Sequence, residues 1–190
     1  GEVWLTIPVE MKGHIGRSVK EMMIEERSDW RKKHWNSLLM NYKKAPHFSS
    51  YSDFFEDYYK NCTTSHLEDF IMRSTRFIMK ELSIELPVHC LSALDVSSTK
   101  QDLIVDICQR TGSGMFVFGS QGKDYADVDH FAAKGIRCYF QEYKHPLYPE
   151  LWGEFKPYMS VLDAMFNLGS NQTRELILKE NVTRETIRKI

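Results

Sequence analysis

The chain has 190 residues, of which 42% are hydrophobic, and its 25 basic and 26 acidic side chains leave a formal net charge of -1. This length suits a single large domain or two very small ones, and the composition excludes a largely disordered chain. The balanced charge provides no field to hold nucleic acid or an anionic membrane, and no apolar run approaches the roughly 18 residues of a membrane span. We therefore expect a cytoplasmic protein with neither partner.

The four cysteines are scattered along the chain, and no two of them form a C-x-x-C pair. Neither a zinc site nor a disulfide framework has the spacing it requires. We expect reduced thiols and predict no metal and no cofactor.

The N-terminal segment begins with a strand-like run over residues 3–9. Because this predicted strand starts only two residues into the chain, we expect further residues upstream of Gly1 in the natural protein. A polar stretch with two glycines follows, and then a short alternating run over 19–24.

A helical subdomain is predicted over residues 28–83. Ser28 or Asp29 can cap a first helix near Trp30, because a short polar side chain accepts from otherwise unpaired N–H groups. Pro46 ends this segment, a second helix is predicted at 52–60, and a capping box at 65–68 predicts a third. We expect this subdomain to pack against a sheet.

The region 87–150 alternates between strand-like and helical patterns. Strands are predicted at 88–94, 115–118 and 136–143, with helices following the capping box at 98–101 and at 126–134. Such alternation with short joins is typical of parallel βαβ units. Two helices, near 159–167 and at 172–189, are predicted in the C-terminal region 157–190. The prediction is one α/β domain over 1–190 with a small, mostly parallel sheet.

The loop at 119–125 is the first candidate site, because ligands of parallel sheets bind beyond the carboxyl ends of the strands. It follows an apolar strand and precedes a helix, where backbone N–H groups favour an anion. The residues expected to bind ligand are Gly119, Ser120, Gly122, Lys123 and Tyr125. The alternative interpretation is a tight strand-to-helix turn that needs glycine.

His145 is the candidate catalytic residue of the following segment. It lies just past the strand at 136–143, and the ordinary pKa of histidine suits general acid–base work. Glu142 or Asp124 could orient its ring. The alternative is a surface histidine before a rigid turn that contains proline.

Two weaker features lie outside this region. Residues 30–34 place Arg31 and His34 among the cations in the first turns of a helix, where they could bind phosphate or carboxylate, although a solvated face is favoured. Ser160 and Asp163 lie one turn apart after Pro157, and Ser160 is interpreted as an N-cap.

Several of these segments resemble, in chain order, the WbqC-like protein family, over about residues 2–169. The N-terminal half has WLTIPV at 4–9, DWRKKH at 29–34 and NYKKAP at 41–46. The C-terminal half has Ser98-Thr99, DIC at 106–108, residues 119–127, HPLY at 145–148 and SVLDAMFN at 160–167. The chain departs from the family in lacking an N-terminal strand and turn, and in having Gln121-Gly122 where two adjacent glycines are common.

Members of this family occur in gene clusters for bacterial O-antigen and related surface glycans, and a glycine or aminoacyl transferase role has been proposed for some. The resemblance therefore implies an acyl- or aminoacyl-transferase acting on an amino sugar or sugar nucleotide. Tyr148 belongs to a segment that carries the resemblance and joins the expected ligand-binding residues. The alternative is a non-catalytic module that binds a ligand or an acyl carrier protein within a glycan-modifying complex.

Overall fold

Six α-helices and two β-strands form the regular structure of the computed structural model, which describes residues 2–179, 181–183, 185, 186 and 189. The helices are α1 (Trp30–Tyr42), α2 (Ser49–Lys60), α3 (Leu67–Glu81), α4 (Lys100–Arg110), α5 (Val128–Ala133) and α6 (Val161–Lys179). The strands are β1 (Met115–Gly119) and β2 (Arg137–Gln141), and short 3-10 helices occur at Val19–Glu21, Leu91–Ala93 and Ser120–Asp124. None of the described helices is both long and apolar enough to cross a membrane.

The chain divides into two compact units. The first contains Gly1–Glu85 and Leu147–Leu176, and the second contains Leu86–Pro146 and Ile177–Ile190. Region 28–83, predicted as a helical subdomain, thus lies in the first unit and the sheet lies in the second. One domain over 1–190, with region 28–83 packed against the sheet, stays a prediction.

An aromatic core holds the first unit together. The ring of Phe166, which is fully buried, lies 5.0 Å from that of Tyr42, 5.1 Å from that of Phe48 and 5.9 Å from that of Phe55, measured between centroids. Burying one such ring contributes roughly 1.5–3 kcal/mol, so these contacts explain how α1, α2 and α6 are fixed together. The three helices predicted within 28–83 are confirmed as α1, α2 and α3.

The predicted strand at 3–9 is wrong. Only Val9 is paired there, in an isolated antiparallel bridge with Ile24, and residues 2–8 have no regular structure. A strand needs a continuous ladder of hydrogen bonds, and Pro8 has no N–H to contribute to one.

A parallel pair of strands forms the sheet of the second unit. The register pairs Met115 with Arg137 and continues to Gly119 opposite Gln141. Phe118, Phe131 and Ile136 are buried beneath it together with Val105 and Cys108 of α4. The strands predicted at 115–118 and 136–143 are confirmed, and so are the helices between and before them.

The predicted strand at 88–94 is also wrong, so the larger sheet expected from repeated βαβ units is not formed. This segment contains a 3-10 helix, Leu91–Ala93, and Val88 and Leu91 remain 48% and 46% exposed. The segment has several apolar residues, as a buried strand would, but in the described part of the chain the sheet contains only β1 and β2. The described fold is a mixture of helices and strands with a two-stranded parallel sheet.

The C-terminal helices predicted at 159–167 and 172–189 join into one segment, α6, which is interrupted at Gly169. That glycine has φ of 79° and ψ of 168°, outside the helical region. A Cβ placed there would lie 2.9 Å from Nδ1 of His47, so glycine is required both by conformation and by space. The end of the predicted second helix lies partly outside the described residues.

Candidate functional site

The carboxyl edge of the two-stranded sheet is the candidate site. Gly119 and Gln141 are paired at the ends of their parallel strands, so the segments that follow them leave the sheet at one edge. An ion pair between the Lys123 ammonium and the Glu142 carboxylate joins these two segments. The hydrogen bond and the charge of Lys123 lower the pKa of Glu142. Both side chains remain exposed, so a ligand can reach them.

The loop at 119–125 forms a tight turn. Residues Ser120–Asp124 form a 3-10 helix in which Gly122 is buried. A Cβ on Gly122 would lie 2.5 Å from Cβ of Phe118, so packing alone requires a glycine at this position. Packing thus supports the turn interpretation for Gly122 itself.

The other predicted residues of the loop are accessible. Ser120, Lys123, Asp124 and Tyr125 are all exposed, with Tyr125 at 61%. The loop also contacts the first turn of α4, because the Gln101 side chain donates to the Tyr125 carbonyl (3.3 Å) and accepts from the Asp127 N–H (2.7 Å). The start of α4 therefore lies beside the candidate loop.

Side chains of α4 and α5 also form a histidine–aspartate pair, which sequence reasoning missed. Nε2 of His130 lies 2.9 Å from Oδ1 of Asp102. The backbone N–H of His130 also donates to the Asp127 carboxylate, which caps α5, at 3.0 Å. Because the two partners are separated by 28 positions and lie on different helices, no spacing motif predicts the pair.

His145 lies in the segment after β2, and its ring is oriented by the backbone. Nδ1 lies 2.9 Å from the carbonyl oxygen of Pro146. Since a carbonyl only accepts, Nδ1 carries the hydrogen, and in the neutral ring Nε2 holds the basic lone pair. Glu142 and Asp124 were the predicted orienting groups; Glu142 pairs with Lys123, and a carbonyl supplies the contact to Nδ1.

Arg31 lies in the first unit, and its guanidinium group is held by its neighbours. It donates to the Glu26 carboxylate at 2.6 and 3.0 Å and to the Thr64 carbonyl at 3.2 Å. It also lies over the rings of Trp30 and Phe70, 4.6 and 4.7 Å from their centroids. These contacts tie the start of α1 to α3, and this is a structural role that does not need a ligand.

A cleft of about 620 Å3 borders the same guanidinium group and runs between α1 and α2. Both acidic and basic side chains line it, among them Lys32, Glu56 and Lys60. His34 is 6% exposed, and its burial lowers the pKa of the imidazole. His34 thus packs within the helical unit.

Tyr148 donates its hydroxyl hydrogen to a buried carboxylate. Asp163 is 5% exposed and accepts from the Tyr42 hydroxyl at 2.8 Å and from the Tyr148 hydroxyl at 2.9 Å. Burial, together with the hydrogen bonds to Asp163, raises the pKa of both phenols, so they remain protonated donors. Three of the segments that carry the family resemblance, at 41–46, 145–148 and 160–167, therefore meet at Asp163.

No group of three or more histidine, cysteine, aspartate or glutamate side chains in the described part of the chain could hold a metal ion. The described arrangement offers proton transfer by histidine and charge–charge contacts to an anion at the sheet edge.

Comparisons with known proteins agree with the sequence resemblance. A curated relative, the uncharacterized protein Rv1507c of Mycobacterium tuberculosis (strain ATCC 25618 / H37Rv), is 29% identical over 171 residues, which cover 90% of this chain and 74% of the relative. No solved structure is significantly similar to the chain. The model of the WbqC-like protein family matches residues 1–175. The chain therefore belongs to the WbqC-like protein family.

Proposed function

We propose that this protein is a cytoplasmic acyl- or aminoacyl-transferase, glycyl transfer included, that modifies an amino sugar or sugar nucleotide in bacterial surface-polysaccharide (O-antigen) biosynthesis. The observation that carries the proposal is the Lys123–Glu142 ion pair, which brings the loop at 119–125 against the segment that leads to His145. A cation and a histidine on the two segments that leave one sheet edge can supply the charge stabilisation and the proton transfer that acyl transfer to an amine uses.

In the proposed reaction His145 is the general base. The amine nitrogen of the acceptor attacks the acyl carbon of the donor, a nitrogen–carbon bond forms, and the bond from the acyl carbon to the leaving group breaks. The proton lost by the amine passes to Nε2 of His145. The Pro146 carbonyl supports this role, because its contact with Nδ1 keeps the basic lone pair on Nε2.

The loop supplies the anion contacts in this proposal. Lys123 would bind a phosphate or the developing acyl oxyanion, and the exposed hydroxyls of Ser120 and Tyr125 can donate to the same group. Glu142 holds Lys123 in place until the ligand arrives. Gly119, the last residue of β1, leads into this loop at an exposed position and has extended backbone angles (φ -70°, ψ 173°).

A non-catalytic binding or assembly module is the second candidate, and one observation favours it. Packing against Phe118 accounts for Gly122, and Lys123 already has a partner, so the loop can be explained without a reacting substrate. In that case the sheet edge docks an anionic ligand or an acyl carrier protein and transfers nothing.

The test combines binding with turnover. Thermal shift is measured with sugar nucleotides, amino acids and aminoacyl donors, since a ligand of the native state raises the Tm by mass action. The variants are Lys123→Ala and His145→Ala, with the exposed Lys134→Ala of the same unit as the control. Transfer is followed by mass spectrometry of the acceptor.

We expect Lys123→Ala to abolish the shift, Lys134→Ala to preserve it, and His145→Ala to retain binding while losing turnover. Binding by the wild-type protein without any transferred group would instead support the assembly module. No shift with any of these compounds would overturn the small-molecule site.

A further inference from the structure

The reaction proposed above does not use the Asp102–His130 pair. The imidazole side chain is 32% exposed and the carboxylate 69%, so solvent and ligands can reach the pair. An exposed pair of this kind contributes little to stability.

The pair lies beside the candidate loop. Asp102 follows Gln101, whose side chain bonds both Tyr125 and Asp127, and Asp127 in turn caps the helix that carries His130. These contacts place a second histidine beside the loop, on the side of α4 and α5, in addition to His145 after β2.

Acyl transfer includes a step in which the Asp102–His130 pair can act. Transfer to an amine involves two proton movements: one proton leaves the attacking nitrogen and one is delivered to the departing group. A carboxylate that accepts from one ring nitrogen fixes the tautomer and stabilises the imidazolium, as required of a group that holds a proton for donation.

We propose that His130 is the general acid of this site and that Asp102 is its positioning residue. The assignment rests on the proposed transferase function. Nε2–H of the imidazolium donates to Asp102, and Nδ1–H delivers its proton to the leaving atom as the bond from that atom to the acyl carbon breaks. The electron pair of the broken bond stays on the leaving atom, and His130 becomes neutral.

The test compares two glycine esters whose leaving groups differ in their need for an acid. Glycine p-nitrophenyl ester releases a phenolate that is stable without protonation, whereas glycine ethyl ester must release an alcohol. Glucosamine serves as the acceptor, and N-glycylated product is measured. The variants are His130→Gln, Asp102→Asn and His145→Ala, with the exposed His89→Gln of the same unit as the control.

We expect His130→Gln to slow transfer from the ethyl ester about 100-fold and to leave the p-nitrophenyl ester nearly unchanged. Asp102→Asn should also slow transfer from the ethyl ester selectively, but by a smaller factor. Asp102→Glu should restore part of the lost rate. His145→Ala should slow both donors, and His89→Gln neither. At a pH at which the His130 ring is neutral, a nitrogen-15 NMR spectrum should show hydrogen on Nε2 in the wild type, and this preference should be lost in Asp102→Asn.

Three results would overturn the assignment. If His130→Gln slows both donors equally, His130 is not a general acid. If it slows neither while His145→Ala slows both, the transferase proposal stands and His130 has no part in it. If the wild-type protein transfers glycine from neither ester, this inference fails, whereas the proposed function is judged separately by the binding and turnover tests with the other donors.

Discussion

Tyr42 and Asp163 are 121 positions apart in the sequence, and their side chains are joined by a hydrogen bond of 2.8 Å. Asp163 accepts from Tyr148 at its other carboxylate oxygen, so both oxygens of a nearly inaccessible carboxylate are satisfied by phenols. A buried carboxylate without such donors would be costly. The cluster therefore fixes the segment around Tyr148 to α1 and α6.

Removing one of these phenol hydroxyls should destabilise the first unit. Tyr42→Phe keeps the ring but leaves one oxygen of Asp163 without a donor, and we expect a loss of about 1.5–3 kcal/mol in the free energy of unfolding. Tyr148→Phe should cause a similar loss in the free energy of unfolding. Urea denaturation measures the loss, and Tyr125→Phe, on an exposed residue, is the control. An unchanged midpoint for Tyr42→Phe would show that Asp163 does not depend on this donor.

Stability should also fall in alkaline solution because of the same cluster. The pKa of both phenols is raised in the folded state by burial and by Asp163, so the unfolded chain releases these protons first. Their contribution is complete below the unfolded value of about 10 and declines as the pH rises above it. Denaturation between pH 8 and 11 should show a steeper decline for the wild type than for the double variant Tyr42→Phe, Tyr148→Phe. Equal slopes would contradict this assignment.

His34 should make the protein sensitive to acid. Burial lowers the pKa of the His34 imidazole in the folded state. Below about pH 6.5 the unfolded chain therefore binds a proton more readily at this histidine than the folded chain does. The contribution of His34 is therefore present above this pH and is lost as the pH falls. His34→Leu should reduce the decrease in stability between pH 7 and pH 5, whereas the exposed His89→Gln should leave it unchanged. A decrease as large in His34→Leu as in the wild type would assign the effect to other groups.

Gly122→Ala should be destabilising through a steric clash. The added Cβ would lie 2.5 Å from Cβ of Phe118, and accommodating such overpacking typically costs about 1–3 kcal/mol. Gly114→Ala is the matched control, because a Cβ at that position meets nothing within 4 Å. The Tm of the two variants can be compared by calorimetry. A Gly122→Ala protein as stable as Gly114→Ala would refute the packing explanation of this glycine.

Local sequence patterns were sufficient to predict most helices and the two paired strands. Helical spacing and end signals placed α1, α2 and α3 within 28–83, because amphipathic periodicity and chain-breaking residues act within a few positions of each other. The apolar runs that became β1 and β2 were predicted from composition in the same way. Their parallel pairing brings the segments of Lys123 and His145 to one edge.

Other features depended on contacts between distant parts of the chain. The apolar segment at 88–94 resembled a strand in composition but contains a 3-10 helix, since a strand ladder requires a partner that local sequence does not specify. The hydrogen bond of Asp102 to His130 and the pairing of Tyr42 with Asp163 bridge 28 and 121 positions. By itself the sequence determined the family, most helices and the candidate loop. The tertiary structure alone decided which charged and phenolic groups meet, because side-chain hydrogen bonds act over about 3 Å between helices whose packing no local pattern describes.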